Sequence, residues 1–138
     1  MATPGKLDFE LVTPYRRVHH LDADEVICPG VHGEFGVLPG HAPLLARLKP
    51  GVLGFRQGTE WRYVALTWGL CEVANDRVSV LVTTADPAEE IDPQAAARAR
   101  DAAEAKLKAL EPGSAEAAEA QTELEKALAQ LQTVRWQD

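Results

Sequence analysis

A chain of 138 residues with 14 basic and 21 acidic side chains, a formal net charge of −7, has room for one domain and an appendage. That balance excludes a nucleic-acid binder, which needs clustered Lys and Arg to displace counterions from phosphates. Hydrophobic residues make up 46%, enough to fill a core, yet no apolar run approaches the ~20 residues of a membrane-spanning helix. Met1 to Lys6 offers no charged leader followed by an apolar stretch, so no secretory signal is expected.

The chain opens with Lys6-Leu7-Asp8-Phe9-Glu10-Leu11, whose period of two places Leu7, Phe9 and Leu11 on one face of a strand. Further short β-branched or aromatic runs follow at Asp24 to Cys28, Val52 to Arg56, Trp61 to Trp68 and Val78 to Thr83. Turn signals separate them: Pro29-Gly30, Pro39-Gly40, Pro50-Gly51, Gln57-Gly58 and Asn75-Asp76. Such spacing predicts an antiparallel sandwich or barrel, and the lack of helical stretches between the runs excludes a parallel α/β sheet.

Beyond residue 88 Ala replaces Gly and Phe, and the apolar period becomes helical. Asp92-Pro93 is a start signal, because Asp caps free N–H groups and Pro fits the first turn. This first helix runs to about Leu110, stopped by Glu111-Pro112-Gly113, with the stripe Ala96, Ala99, Ala103, Leu107 and Leu110. Ser114 caps a second helix, in which Ala117, Ala120, Leu124, Ala127, Leu131 and Val134 recur at spacings of 3 and 4. A short link between two such helices predicts an antiparallel hairpin. An Ala seam buries only one methyl per position, ~0.8 kcal/mol each, so the hairpin is expected to be marginal alone and detachable. The expected units are therefore a β-sandwich over 1–88 and a linker with a two-helix hairpin over 89–138.

Catalytic and metal chemistry find little footing. Cys28 and Cys71 are too few for a disulfide framework or a four-cysteine zinc site and read as buried free thiols. His19 and His20 are adjacent, so on a strand they face opposite ways, and no metal site is expected. The only serines, Ser79 and Ser114, lack a nucleophile elbow, and no phosphate loop is present. The densest unusual stretch is Gly33 to Leu44, with three glycines, two prolines, Glu34 and His41. Its composition predicts a shaped loop rather than a plain strand, serving equally as an interaction surface or as hairpin corners.

That stretch, Gly-Glu-x-Gly-x-x-Pro-Gly-His-Ala-Pro-Leu followed by Lys49-Pro50-Gly51, resembles the epsilon subunits of bacterial F-type ATP synthases. The opening Leu-x-Phe-x-Leu-Val-Thr-Pro, Trp68-Gly69-Leu70 and the helical end extend the likeness over nearly the whole chain. The resemblance implies a ten-stranded β-sandwich followed by an α-helical hairpin, acting as a non-catalytic rotor part. It implies docking on the gamma subunit and the c-ring, with Glu34, Phe35, His41, Ala42 and Pro43 as the partner-binding loop. It also implies contact with catalytic beta subunits when the hairpin extends, a membrane association made only through the complex, and a place on the cytoplasmic side of the bacterial inner membrane.

Two departures bear on regulation. Some family members hold ATP through an Ile/Leu-Asp-x-x-Arg-Ala motif, and here Ile91, Asp92 and Ala96 match while Ala95 stands where Arg is found. Arg98 lies nearby as a partial substitute, and weak or absent ATP binding is expected, with no cofactor. Residues 115–138 carry five acids against Lys126 and Arg135, a poor match for an acidic partner, so inhibition through the hairpin is expected to be weak or to rest on Leu128, Leu131, Val134 and Trp136. The competing reading is a stand-alone ligand-binding β-sandwich that oligomerises through its hairpin. A small hydrolase would rest on Glu34 and His41 alone.

Overall fold

The computed structural model describes residues 3–138; Met1 and Ala2, part of the stretch read for a leader, lie outside it. Ten strands come first: β1 (Leu7–Val12), β2 (Arg17–Ala23), β3 (Glu25–Gly30), β4 (Gly33–Val37), β5 (Leu44–Leu48), β6 (Gly51–Gln57), β7 (Glu60–Leu66), β8 (Gly69–Ala74), β9 (Arg77–Val82) and β10 (Ala85–Pro87). A short 3-10 turn (Ala88–Glu90) leads to helices α1 (Pro93–Ala109) and α2 (Ala115–Gln137).

The strands hydrogen-bond in the order β10-β7-β6-β3-β5-β8-β9-β1-β2, with β4 on the side of β3. β3 and β5 share the single pair Gly30 with Leu48, and there the sheet folds over into two layers. Period-two patterning fills the space between them. Leu7, Phe9 and Leu11 are fully buried, and the Phe9 ring lies 5.2 Å from that of Phe55 on β6. All pairs are antiparallel except β1 with β9, which run parallel. A parallel pair needs a long crossover, and the intervening strands β2 to β8 provide it.

Local chemistry sets the corners. Asn75 and Asp76 both adopt positive φ, 51° and 59°, and close the two-residue β8–β9 hairpin, a conformation that Asn and Asp tolerate. At Gly69 an added Cβ would stand 2.1 Å from the carbonyl oxygen of Leu81, so only glycine permits the close approach of β8 and β9. The Thr67 hydroxyl, buried, is satisfied by the hydroxyls of Thr83 at 2.6 Å and Thr84 at 2.8 Å.

The stretch Gly33 to Leu44 differs from its expectation as one shaped loop. Its first half is β4, paired with β3 from Val26–Val37 to Gly30–Gly33, and only Leu38 to Pro43 is a turn. Phe35 and Val37 point to the core and drive the pairing, a period-two signal hidden by the glycines on either side.

Both helices begin as their caps dictate. The Asp92 carboxylate accepts from the Gln94 N–H at 3.0 Å, and the Ser114 hydroxyl accepts from the Ala117 N–H at 3.1 Å. Ala96 and Ala103 of α1 meet Ala117, Ala120 and Ala127 of α2 in the hairpin seam, while Ala99 is exposed, one step off the closing face. Unexpectedly, α2 has two partners. Ala129 and Thr133 are buried too, on the side of α2 that covers β6 and β7.

Candidate functional site

Two surfaces concentrate the residues singled out in the sequence, and a third gathers residues that were not. The first is the linker between sandwich and helices. Arg16, on the β1–β2 turn, makes a bidentate pair with Glu90, its two nitrogens at 2.6 and 3.2 Å, and Arg62 of β7 lies 3.6 Å from Glu89. The Arg16 guanidinium holds the Glu90 carboxyl below the usual carboxylate range. His19 sits half-buried beside this linker, edge-on to the Phe55 ring at 5.0 Å. Burial first, and Arg62 next, push its imidazole below the usual histidine value. The adjacent His20 faces the other way and meets the Asp8 carboxylate at 3.0 Å.

Between this linker and the hairpin lies a cavity of about 570 Å³ walled by Ile91, Asp92 and Ala95. Arg98 is exposed and does not line it, so three of the four nucleotide-motif positions come together without the cation that was to compensate for Ala95. Asp86, Glu90, Asp92 and Glu123 face the cavity against Lys126 alone. Glu90 is paired with Arg16 and Glu123 with Lys106, and Asp92 is engaged as the helix cap, so Lys126 is the cation that the lining offers a triphosphate.

The second surface is the stretch expected to bind partners, which the fold divides. Glu34 projects from β4 beside the C-terminal end of α2, lining a cleft with Val52 and Trp136. Phe35 is half-buried and packs against the core from β4. His41, Ala42 and Pro43 form a separate turn, tied to the β8–β9 hairpin by the Gly40 N–H donating to Asp76 at 2.7 Å. The His41 ring is steered back onto the Ala42 carbonyl at 2.6 Å. The two thiols lie in the core; the hydrogen bond between them and then burial raise the Cys28 thiol, so it stays protonated.

The third surface is absent from the sequence reading. On the outer face of β5, β8 and β9, Leu45 is 68% exposed, Leu81 54% and Leu70 43%. Leu70 and Leu81 are directly paired, and Leu45 lies diagonally across from Leu70. This layer is the one that α2 does not cover. The signal was present in Val80-Leu81-Val82, an unbroken apolar run in a strand whose other face already serves the core.

Comparison with known proteins is consistent along the chain. The beta-sandwich domain model of ATP synthase delta/epsilon chains matches residues 6–88, and the long alpha-helix domain model matches residues 89–135. The ATP synthase epsilon chain of Geobacter sp. (strain M21) is 48% identical over 127 residues, 92% of each chain. That of Geotalea uraniireducens (strain Rf4) is 50% identical over 107 residues, 78% of each. A chain in the cryo-EM structure of the Euglena gracilis mitochondrial ATP synthase (OSCP/F1/c-ring) superposes with a TM-score of 0.81 at 24% identity, covering 96% of this chain and 82% of that one, which shows a shared fold. The expectation drawn from the Gly33–Leu44 motif therefore holds: the chain belongs to the delta/epsilon chain family of ATP synthase.

Proposed function

We propose that the chain is a non-catalytic rotor subunit that passes c-ring rotation to the gamma subunit, with the sandwich as docking unit and the hairpin as regulator. The observation that carries this reading is the leucine face of β5, β8 and β9. Three large apolar side chains on a rigid layer are costly to leave in water and suit a persistent partner. Gamma is assigned to that face, and the turn at His41 to Pro43, pinned at its edge, is assigned to the neighbouring ring contact. Association with the membrane is then indirect, on the cytoplasmic side; among the described residues no helix is long and apolar enough to cross a bilayer.

The hairpin acts from the opposite layer, so it is free to leave without disturbing docking. Its departure would bring α2 toward the catalytic beta subunits. The surplus of acids in residues 115–138 makes that contact weak for an acidic partner. Nucleotide control is weak or absent in this reading, supported by Ala95 at the motif's Arg position and by the engagement of Asp92 as the helix cap. The test is the double variant Leu45→Glu/Leu81→Glu, which leaves the core untouched. Its recovery with gamma and the ATPase head is expected to fall at least about tenfold, as for loss of a central interface anchor. Recovery at the unmutated level, with circular dichroism unchanged, would overturn the assignment.

A further inference from the structure

A cavity of about 400 Å³ opens between the outer face of β6 and β7 and the last turn of α2. Its walls are aromatic. Trp61 and Tyr63, two residues apart on β7, lie nearly parallel at 10° with centroids 6.3 Å apart. Trp136, arriving from α2, meets Tyr63 at 5.6 Å and 69°, so the rings present faces in two nearly perpendicular directions. Gly54 makes room for this: a Cβ there would press the Tyr63 ring at 3.0 Å and Trp61 at 3.4 Å. Ile27 and Val52 complete an apolar floor, and one charged group faces the space, the exposed carboxylate of Glu34. No Lys or Arg lines the cavity. In the adjoining part of the cleft Lys49 and Glu125 offset one another, so the net charge of the whole cleft is that of Glu34.

We infer that this cleft is a binding site for the guanidinium group of an arginine side chain on a partner protein. Ring faces carry negative charge and attract a cation, a planar guanidinium stacks on Trp and Tyr, and its free edge donates a two-pronged pair to a carboxylate. A neutral apolar group would leave Glu34 without a partner at the mouth of the cleft. Because Trp136 comes from α2 and the other walls from the sandwich, the site is whole only while the hairpin is folded. Arginine binding and the folded hairpin therefore favour one another.

The full-length chain is titrated with N-acetyl-arginine amide while tryptophan emission is followed; Trp61 and Trp136 lie in the cleft and Trp68 outside it. A saturable change with Kd of about 1–10 mM is expected, and the neutral isostere N-acetyl-citrulline amide is expected to bind at least about threefold more weakly. Glu34→Gln, at an exposed position, is expected to weaken the arginine probe by a similar factor and leave the citrulline probe unchanged. Trp136→Ala is expected to abolish the change. Equal binding of the two probes, an unaffected Glu34→Gln variant, undiminished binding by Trp136→Ala, or no saturable response would each overturn the inference. The titration uses the isolated chain, so its failure is distinct from failure of the stalk assignment, which is read from assembly.

Discussion

At the scale of single residues, His19 shows how a side chain acquires pH dependence from its surroundings. Its ring is edge-on to Phe55 under a linker held by Arg16–Glu90 and Arg62–Glu89, and burial favours the neutral form. As pH falls, the unfolded chain takes up the proton first. Stability is therefore full above about pH 6.5 and declines below it until pH reaches the lowered folded value. Glu90, also lowered, loses its contribution in a separate and more acidic window, below about pH 4.5. The thermal midpoint of the protein is expected to drop as pH falls below about 6.5, before the Glu90 window is reached, and His19→Gln to flatten that part of the profile. A wild-type midpoint that stayed level from pH 7 to 5 would contradict the role given to His19. The adjacent pair His19-His20 was legible as pointing to opposite faces, because strand geometry dictates it. The neighbours of each ring were not legible, since Phe55 and Asp8 come from other strands.

At the scale of elements, α2 is held by two unlike faces. The seam toward α1 was plain in the 3-4 spacing, which local geometry alone sets. The face toward the sandwich was not, because Ala129, Gln130, Thr133 and Gln137 look like ordinary surface residues until β7 lies beside them. Gln130 donates to Asp86 at 3.1 Å, and the Gln137 amide both donates to the Trp61 carbonyl at 3.1 Å and accepts from the Tyr63 N–H at 2.9 Å. Those backbone groups are free because β10 ends at Pro87 opposite Val64, leaving the rest of the β7 edge unpaired. The terminal Gln137 thus stands in for a missing strand. Removing residues 136–138 takes away these two bonds and the Trp136–Tyr63 contact, about 2 kcal/mol together. Amide exchange over the C-terminal half of α2 is then expected to quicken by at least about tenfold while the core strands keep their protection. Unchanged exchange in α2 would show that the hairpin does not depend on this end.

At the scale of the molecule, the net charge of −7 is unevenly shared. Residues 1–88 hold 8 basic and 10 acidic side chains, residues 89–138 hold 6 and 11, so most of the acidity travels with the helices. The same division separates the surfaces: α2 on the β6–β7 layer, the exposed leucines on the β5-β8-β9 layer. Fold class was readable because period-two and helical patterning reflect local geometry. The leucine face escaped because β5 pairs with β8 across the intervening β6 and β7, so only the assembled sheet brings Leu45 beside the Leu70–Leu81 pair of the β8–β9 hairpin. The central claim is that docking uses the layer the hairpin leaves bare. A short thiol crosslink between Asp86→Cys and Gln130→Cys would fix α2 on the sandwich, the native cysteines being buried. The decisive measurement is the amount of crosslinked chain that co-purifies with gamma and the ATPase head. Recovery equal to that of the uncrosslinked double variant is predicted. Loss of the crosslinked chain from the complex, while the uncrosslinked variant still joins it, would place docking under the hairpin and contradict the account.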